Sequence, residues 1–311
     1  MPGYRLFRPS DSGKLDGGAE PRSHPARNQP PEFNELDSYD HIFSGEDEVK
    51  GFLCMVFFSY LDDSKDRGAK RICVSGGLYG SREDWEGFRI NWKKILDMHG
   101  LEYYKSSECF SVTGQFEKYR EGAPRATPEA RRRARAIRSE FLGCAGKHLK
   151  LRGVGVAIHT IPYRKFEEMT RNDNVLPADP YKVALSSIMF EIVRCIREEA
   201  GHNMVAFIHD GGNEFPGLYE CYLQFKELNP KNARFVGGFQ SLDDKKTPAL
   251  QVADLLANHT TFLAGKAMDN QDASIEMRAD IRILGVWNEL YLRKYLRDWY
   301  RRHKRTPPAE L

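Results

Sequence analysis

The order of apolar segments along the chain constrains its fold more than any other feature of the sequence. Five short segments rich in aliphatic, aromatic and β-branched residues have the length of strands, at 51–61, 71–80, 151–161, 203–210 and 232–240. A short polar link joins the first two, which indicates a hairpin. The later strands alternate with helical segments, which favours parallel pairing, whereas the first three favour an antiparallel meander. The order predicts an α/β fold with a mixed five-stranded sheet flanked by helices.

Capping residues predict where several helices begin. Ser81 precedes two acidic residues, and Gly100 is a suitable stop for the helix that follows. Thr127, Asp179 and Thr247 each precede a proline, which is favoured at the first position of a helix. The predicted helices between the second and third strands form a helical insertion at about 81–150. By analogy, this mixed-sheet order is that of the ribonuclease H-like fold.

Composition divides the chain into three parts. Residues 1–44 are rich in Pro, Gly, Ser, Asp and Arg and poor in aliphatic residues, which predicts a disordered or extended arm. Residues 45–265 carry the predicted strands and form the predicted domain. Residues 266–311 are predicted to form a basic helical extension, because apolar side chains recur there at helical spacing: Trp287, Leu290, Tyr291, Tyr295, Leu296 and Trp299.

Cysteine usage and hydropathy indicate where in the cell the protein is expected. Its six cysteines contain no C-x-x-C pair and lie mostly in apolar segments, which predicts reduced, buried thiols and a cytoplasmic location. No run of about 18 apolar residues occurs, so we expect no membrane span. The net charge of +3 is too small to imply nucleic-acid binding by itself, but the positive charges are clustered.

Four acidic residues stand out by their positions. Asp62 ends the first predicted strand and Asp210 ends the fourth, while Asp254 and Glu191 lie in the middle of helices among apolar residues. A buried carboxylate needs a partner, because burying it alone is costly. For Asp254 that partner is a metal ion, a cationic side chain or a helix-cap contact with a neighbouring strand. Asp210 precedes two glycines, so it also fits an ordinary turn.

Taken together, these carboxylates suggest a metal centre. Carboxylate oxygens are hard ligands that suit Mg²⁺ or Mn²⁺. Two such ions about 4 Å apart can activate a water molecule and stabilise the leaving oxygen in phosphodiester cleavage. Such a site needs three or four carboxylates from different elements. Neighbouring strands and a helix that packs across their ends can supply them.

Three motifs resemble those of the domain-of-unknown-function-3800 family. They are "YLDDS" at 60–64, the strand-terminal Asp210 and "TPALQVADLLA" at 247–257, and "YYKSSE" at 103–108 is similar to a Lys-x-x-Glu segment of that family. The resemblance covers about residues 52–265. It implies a ribonuclease H-like fold and a metal-dependent nuclease site with two Mg²⁺ or Mn²⁺ ions.

The resemblance also implies roles for individual residues. Asp62, Asp210 and Asp254 match the family's metal ligands and catalytic carboxylates. Asp63 stands where the family usually has Glu and is expected to contribute to the metal site. Lys65 stands where the family usually has Gly, which changes the turn and adds a positive charge.

The fourth carboxylate has two candidates. The family pattern favours Glu108 as a catalytic and metal-binding residue. The ribonuclease H analogy favours Glu191, from the long helix between the third and fourth strands. The choice stays open, and the family motif gives Glu108 the preference.

Basic residues could contact nucleic acid. Positive charge is concentrated in the helix after Thr127 and in the last helix, and a further lysine accompanies the motif around Glu108. Phosphate contacts dominate nucleic-acid affinity, so a nuclease needs such a surface. The alternative is that these residues form solvated helix faces. The candidates are Lys105, Arg131, Arg132, Arg135, Arg297 and Arg301.

Two functions agree with these features. The first is a metal-dependent nuclease that hydrolyses phosphodiester bonds in RNA or DNA. The second is a catalytically inactive ribonuclease H-like module that binds nucleic acid or a protein partner, in a bacterial defence system for example. A protein partner or a homo-oligomer agrees with either function.

Overall fold

A six-stranded mixed sheet carries helices on both of its faces. The computed structural model describes residues 56–65, 71–148, 150–200, 203–210, 212, 214–269 and 281–311. The strands are β1 Val56–Lys65, β2 Ile72–Ser81, β3 Arg152–His159, β4 Met204–Asp210, β5 Val236–Leu242 and β6 Ile281–Trp287. The helices are α1 Arg82–His99, α2 Ser106–Ser111, α3 Pro128–Ala145, α4 Thr160–Met169, α5 Pro180–Ala200, α6 Phe215–Leu228, α7 Pro230–Ala233, α8 Pro248–Met268 and α9 Glu289–Arg302. Short 3₁₀ helices lie at Gly114–Arg120 and Arg171–Asp173.

The sheet has the strand order β5-β4-β1-β2-β3-β6. Strands β1, β2 and β3 form an antiparallel meander, while β4 and β5 continue from β1 in parallel. This confirms the predicted α/β class, the five predicted strands and the change from antiparallel to parallel pairing. β1 continues three residues past Asp62, paired with β2, so the prediction that Asp62 ends the strand was wrong.

Strand β6 was not predicted. It runs parallel to β3 at the edge of the sheet, inside the segment that was predicted to be a helical extension of the domain. The last helix, α9, begins only at Glu289, after this strand. The apolar stripe that continues through α9 made the whole segment resemble a helix. The segment 281–287, IRILGVW, nevertheless carries the apolar and β-branched residues of a strand, and the sequence interpretation overlooked this local signal.

The predicted caps are present at the N-termini of α1, α3 and α5 and at the C-terminus of α1. Ser81 and Asp84 form a capping box at the start of α1, and Gly100 ends that helix in the left-handed conformation, at φ +59°. The Thr127 hydroxyl accepts a hydrogen bond from the first turn of α3. A carboxylate oxygen of Asp179 accepts one from the first turn of α5, at 2.9 Å. These contacts satisfy helix-end N–H groups that have no partner within the helix.

Helices cover the two faces differently. α8 packs on one face against β1, β2 and β3, and the predicted insertion, with α1 and α3, packs against α8. An aromatic cluster fills this layer: Trp85, Phe88, Trp92, Tyr104 and Phe141. α5 packs on the opposite face, in a large apolar core to which α4, α6 and α9 contribute.

Two glycines let α8 lie directly on the sheet. A Cβ atom at Gly76 would stand 2.8 Å from the Cα of Ala257, and a Cβ at Gly155 would stand 2.8 Å from the hydroxyl oxygen of Thr260. Contacts this close leave no room for a side chain. Gly76 pairs with Asp62 across β2 and β1. The close approach of α8 therefore brings its Asp254, one turn before Ala257, toward the same end of β1.

Some predictions fall outside the described residues. The predicted arm at 1–44 and the beginning of the first strand, at 51–55, belong to them. Five of the six cysteines are described, and all five are buried and free of disulfide bonds, as predicted. None of the described helices is long and apolar enough to cross a bilayer.

Candidate functional site

Asp62 and Asp210 lie side by side at one end of the sheet. The parallel ladder between β1 and β4 ends with Leu61 opposite His209, and the two aspartates follow directly in their strands. Residues at equivalent positions of parallel neighbours project from the same face. For both aspartates this is the face covered by α8, because Gly76, the partner of Asp62, contacts α8.

Asp254 approaches these aspartates from above the sheet. It lies on α8 and accepts a hydrogen bond from the backbone N–H of Ser106, with 2.6 Å between nitrogen and Oδ2. Ser106 is the first residue of α2, so this bond joins two helices at the site. One partner of Asp254 is therefore a backbone N–H group at the start of a helix, and its role as a metal ligand stays a prediction.

The negative charges are close enough to influence one another. Burial raises the pKa of Asp62 well above its ordinary value, and the neighbouring carboxylates of Asp254, Asp63 and Asp210 raise it further. A hydrogen bond from the N–H of Asp63 opposes these effects only in part. We call Asp62, Asp210 and Asp254 the carboxylate cluster. Its members come from three elements, as predicted from their positions in the sequence.

Burial also raises the pKa of Asp254, to about 6. Hydrogen bonding with Ser106 and the nearby charge of Lys105 lower it, while the carboxylate of Asp244 raises it. The net shift shows that burial and negative charge outweigh the favourable contacts. A bound positive charge would stabilise this carboxylate.

Lys105 places a positive charge beside the cluster. Its Nζ lies 2.5 Å from Oδ2 of Asp244. Burial lowers the pKa of Lys105, but the bond to Asp244 and the charges of Asp210 and Asp254 outweigh it and raise the pKa overall. Lys105 therefore stays protonated. Asp244 lies two residues after β5, near the strand end as Asp210 is at the end of β4, and this strand-end signal could have identified it from the sequence.

Gln251 holds the surroundings of the cluster together, and the sequence interpretation missed this role. It is buried on α8, one turn before Asp254. Its side-chain oxygen accepts hydrogen bonds from the indole of Trp92 and the N–H of Tyr104, at 2.9 and 3.1 Å. Its nitrogen donates to the carbonyl oxygens of Asp244 and Lys245, each at 3.1 Å. Four bonds thus fix α8 to α1 and to the segments that carry Lys105 and Asp244. A polar residue among apolar helix neighbours was the available signal.

Asp63 belongs to the opposite side of the sheet. Strand alternation turns it toward the α5 face, where its charge acts on Tyr181 and His209. The hydroxyl oxygen of Tyr181 lies 2.5 Å from Nε2 of His209, and Nδ1 of His209 lies 3.2 Å from the carbonyl oxygen of Asp210. Burial lowers the pKa of His209. A neutral His209 with its proton on Nδ1 satisfies both contacts: Nδ1 donates to the carbonyl oxygen of Asp210, and Nε2 accepts from the Tyr181 hydroxyl.

The two candidate glutamates have other partners. Glu108 accepts hydrogen bonds from the Tyr103 hydroxyl, at 3.0 Å, and from the N–H of Gln115, at 2.8 Å, so one of its oxygens binds the segment before α2 and the other binds the segment after it. Glu191 forms a two-pronged ion pair with Arg194. It lies ten residues after Tyr181 along α5, which is about 15 Å of helix.

The basic candidates lie in two places. Arg131, Arg132 and Arg135 are exposed on α3, which packs against α2 and α8 next to the cluster. Arg297 donates a hydrogen bond to the carbonyl oxygen of Leu311, and Arg301 pairs with Asp298. Both belong to α9, which packs against β6 at the sheet edge. Strands β2 and β3 separate that edge from β1, a distance of about 14 Å at ordinary strand spacing.

As the side chains stand, the described part of the chain contains no group of three or more His, Cys, Asp or Glu residues that could hold a metal ion. The carboxylate cluster is therefore a set of adjacent charges and not a formed coordination shell. Comparison of the chain with models of known protein families finds no match, and comparison with curated proteins finds none.

Proposed function

We propose that the protein is a Mg²⁺- or Mn²⁺-dependent phosphodiesterase that cleaves RNA or DNA. The observation that carries the proposal is the carboxylate cluster, in which β1, β4 and α8 bring Asp62, Asp210 and Asp254 into electrostatic range at one end of the sheet. We further propose that the fold is ribonuclease H-like and that the chain is related to the domain-of-unknown-function-3800 family. The order of the first five strands along the sheet supports this part of the proposal.

The donor set suits divalent cations. Carboxylate oxygens are the ligands that Mg²⁺ and Mn²⁺ prefer. Burial and mutual repulsion raise the pKa of Asp62 and Asp254, and bound cations would relieve both effects. We propose that Asp62, Asp210 and Asp254 hold the ions and that Asp244 is the fourth carboxylate. Asp244 is adjacent to Asp254, whereas both candidate glutamates have partners elsewhere.

The surrounding residues prepare the site for a phosphodiester. Two divalent ions, when bound, would supply activation of a water molecule and stabilisation of the leaving oxygen. The N–H of Ser106 keeps the carboxylate of Asp254 oriented. Protonated Lys105 offers a donor to a phosphate oxygen, and Asp244 holds this lysine in place until substrate arrives. Gln251 fixes the segments on which both residues lie.

One observation favours the second candidate, a non-catalytic module that binds nucleic acid or protein. In the described residues the carboxylates are not arranged around a common point, and Lys105 already supplies a positive charge next to them. In such a module the charges would balance one another, and the basic surface of α3 would carry the binding.

Cleavage assays distinguish the two candidates. Labelled single-stranded and duplex RNA and DNA are incubated with the protein in Mg²⁺, Mn²⁺ or EDTA. We expect metal-dependent cleavage by the wild type and a loss of at least about 100-fold in Asp62→Asn and Asp254→Asn, because loss of outer-shell partners alone costs 10–100-fold in metal sites. Asp97→Asn, an exposed carboxylate on α1, is the matched control. Unchanged cleavage in both cluster variants would refute the metal mechanism, and no cleavage of any substrate would favour the module.

A further inference from the structure

Two phenylalanines lie exposed on the surface beside the carboxylate cluster. Phe110 on α2 is 54% exposed, and Phe262 on α8 is 50% exposed. Large aromatic side chains are normally buried, and exposed ones are informative when they form part of a continuous surface. Both rings belong to such a surface.

Contacts between side chains join the two rings across three helices. The guanidinium carbon of Arg138, on α3, lies 5.4 Å from the ring centre of Phe110. Nη2 of Arg138 lies 3.4 Å from Nδ1 of His259. The ring of His259 is nearly parallel to that of Phe262, with 6.5 Å between centres, and Nζ of Lys266 lies 4.9 Å from the Phe262 ring. We call these five side chains the aromatic platform.

The aromatic platform begins at the cluster. Ser106, which donates to Asp254, lies one turn before Phe110 on α2, a separation of about 6 Å along the helix. On α8, His259 follows Asp254 by five residues, which is about 7.5 Å along the axis but about 140° around it, so the two side chains lie on different faces of the helix. The path from the cluster to the platform therefore runs along α2, through Phe110 and Arg138.

Positive charge accompanies the rings. Arg131, Arg135 and Arg138 lie at i, i+4 and i+7 on α3 and form one stripe. None of these three arginines is in an ion pair among the residues that the structure describes, whereas Arg132, off the stripe, pairs with Glu129. The exposed charges of Arg131 and Arg135 are available for phosphate groups, and half-buried Arg138 joins this stripe to the rings.

We propose that the aromatic platform binds single-stranded nucleic acid by base stacking and selects it over duplex as the substrate of the cluster. Single strands expose the faces of their bases, and proteins bind them with aromatic rings beside a basic surface. In a duplex those faces are stacked inside the helix and cannot reach Phe110 or Phe262. Burial, with the charge of Arg138, lowers the pKa of His259 to about 4, so this ring is neutral near pH 7 and can accept a hydrogen bond from Arg138.

The selection of substrate rests on the proposed function, but binding can be tested without cleavage. Fluorescence anisotropy is measured in Ca²⁺, which takes the same oxygen ligands. The probes are a labelled 12-nucleotide single strand, the same strand without bases, and the matching duplex. We expect the wild type to bind the base-bearing strand at least tenfold more tightly than either of the other probes.

The variants Phe110→Ala and Phe262→Ala separate stacking from charge. Each should weaken binding of the base-bearing strand by about 5- to 100-fold and leave the strand without bases unaffected. Tyr219→Ala, at an exposed aromatic on α6, is the matched control and should change neither. Arg135→Gln, at an exposed arginine of the stripe outside the platform, should weaken both single-stranded probes equally. Thermal melting verifies that each variant is folded.

The outcomes separate this inference from the proposed function. Wild-type preference for duplex, absence of nucleic-acid binding, or full affinity in both phenylalanine variants would overturn the platform, whatever the cleavage assays show. Base-dependent binding without cleavage in Mg²⁺ or Mn²⁺ would support the platform and refute the phosphodiesterase.

Discussion

Replacing Asp254 with asparagine should stabilise the metal-free protein. Asparagine keeps an oxygen that can accept the hydrogen bond from Ser106 but removes a buried negative charge next to other carboxylates. The folded protein raises the pKa of Asp254 from 3.8 to about 6, so the folded state holds this proton more tightly than the unfolded chain does. The stability from protonation is present in full below about pH 3.8 and is lost as the pH rises through about 6.

The size of the effect follows from this pKa. At about 1.4 kcal/mol for each pH unit, the ionised side chain costs the folded state roughly 3 kcal/mol at pH 8. The Asp254→Asn variant would avoid that cost, which corresponds to an increase in melting temperature of about 6–12 °C for a domain of this size. Near pH 5 the wild type regains roughly 1.4 kcal/mol by protonation, so the advantage of the variant should fall to about half.

Thermal or urea unfolding in EDTA at about pH 5 and pH 8 measures the prediction. Asp97→Asn is again the control, because it removes an exposed carboxylate and should change stability by less than about 0.5 kcal/mol. The reasoning is refuted if Asp254→Asn is no more stable than the wild type at pH 8, or if its advantage is the same at both pH values.

Three further substitutions test other parts of the account. Gln251→Leu should destabilise the protein by at least about 3 kcal/mol in urea unfolding, because it leaves the buried indole N–H of Trp92 and the buried N–H of Tyr104 without partners and removes two part-buried hydrogen bonds; a loss below about 1 kcal/mol would contradict the role of Gln251. Gly76→Val should cost about 1–3 kcal/mol or more by pushing α8 from the sheet, and an unchanged melting temperature would show that Ala257 does not lie as close as described. Glu191→Gln should leave cleavage and Mn²⁺ binding unchanged, because Arg194 holds this carboxylate on the opposite layer; a large loss of either would return Glu191 to the metal site.

Local sequence signals predicted most of the scaffold. Ser81, Thr127 and Asp179 act through side chains within one turn of the helix, so their capping roles depend on nearby residues alone. The five predicted strands carry strong apolar patterns of their own. Strand β6 carries a similar pattern, IRILGVW, which was overlooked, but its pairing with β3, more than a hundred residues earlier, was not predictable from local signals.

Positions of the site residues were predictable in part. Asp62, Asp210 and Asp254 were found because each follows an apolar strand pattern or interrupts an apolar helix face. Their proximity depends on the close contact between α8 and β2 at Gly76, which composition does not reveal. The partners of Glu108 were not predictable, because Tyr103 and Gln115 reach it from opposite sides of α2, where the chain folds back on itself.

Titration of the protein with Mn²⁺ by isothermal calorimetry tests the central claim most directly. The account predicts that the wild type binds two ions, that Asp254→Asn binds them at least tenfold more weakly, and that Glu191→Gln binds them as the wild type does. Binding of Mn²⁺ would also raise the melting temperature of the wild type by mass action. The absence of Mn²⁺ binding, or equal binding by the wild type and Asp254→Asn, would contradict the assignment of the carboxylate cluster as a metal centre.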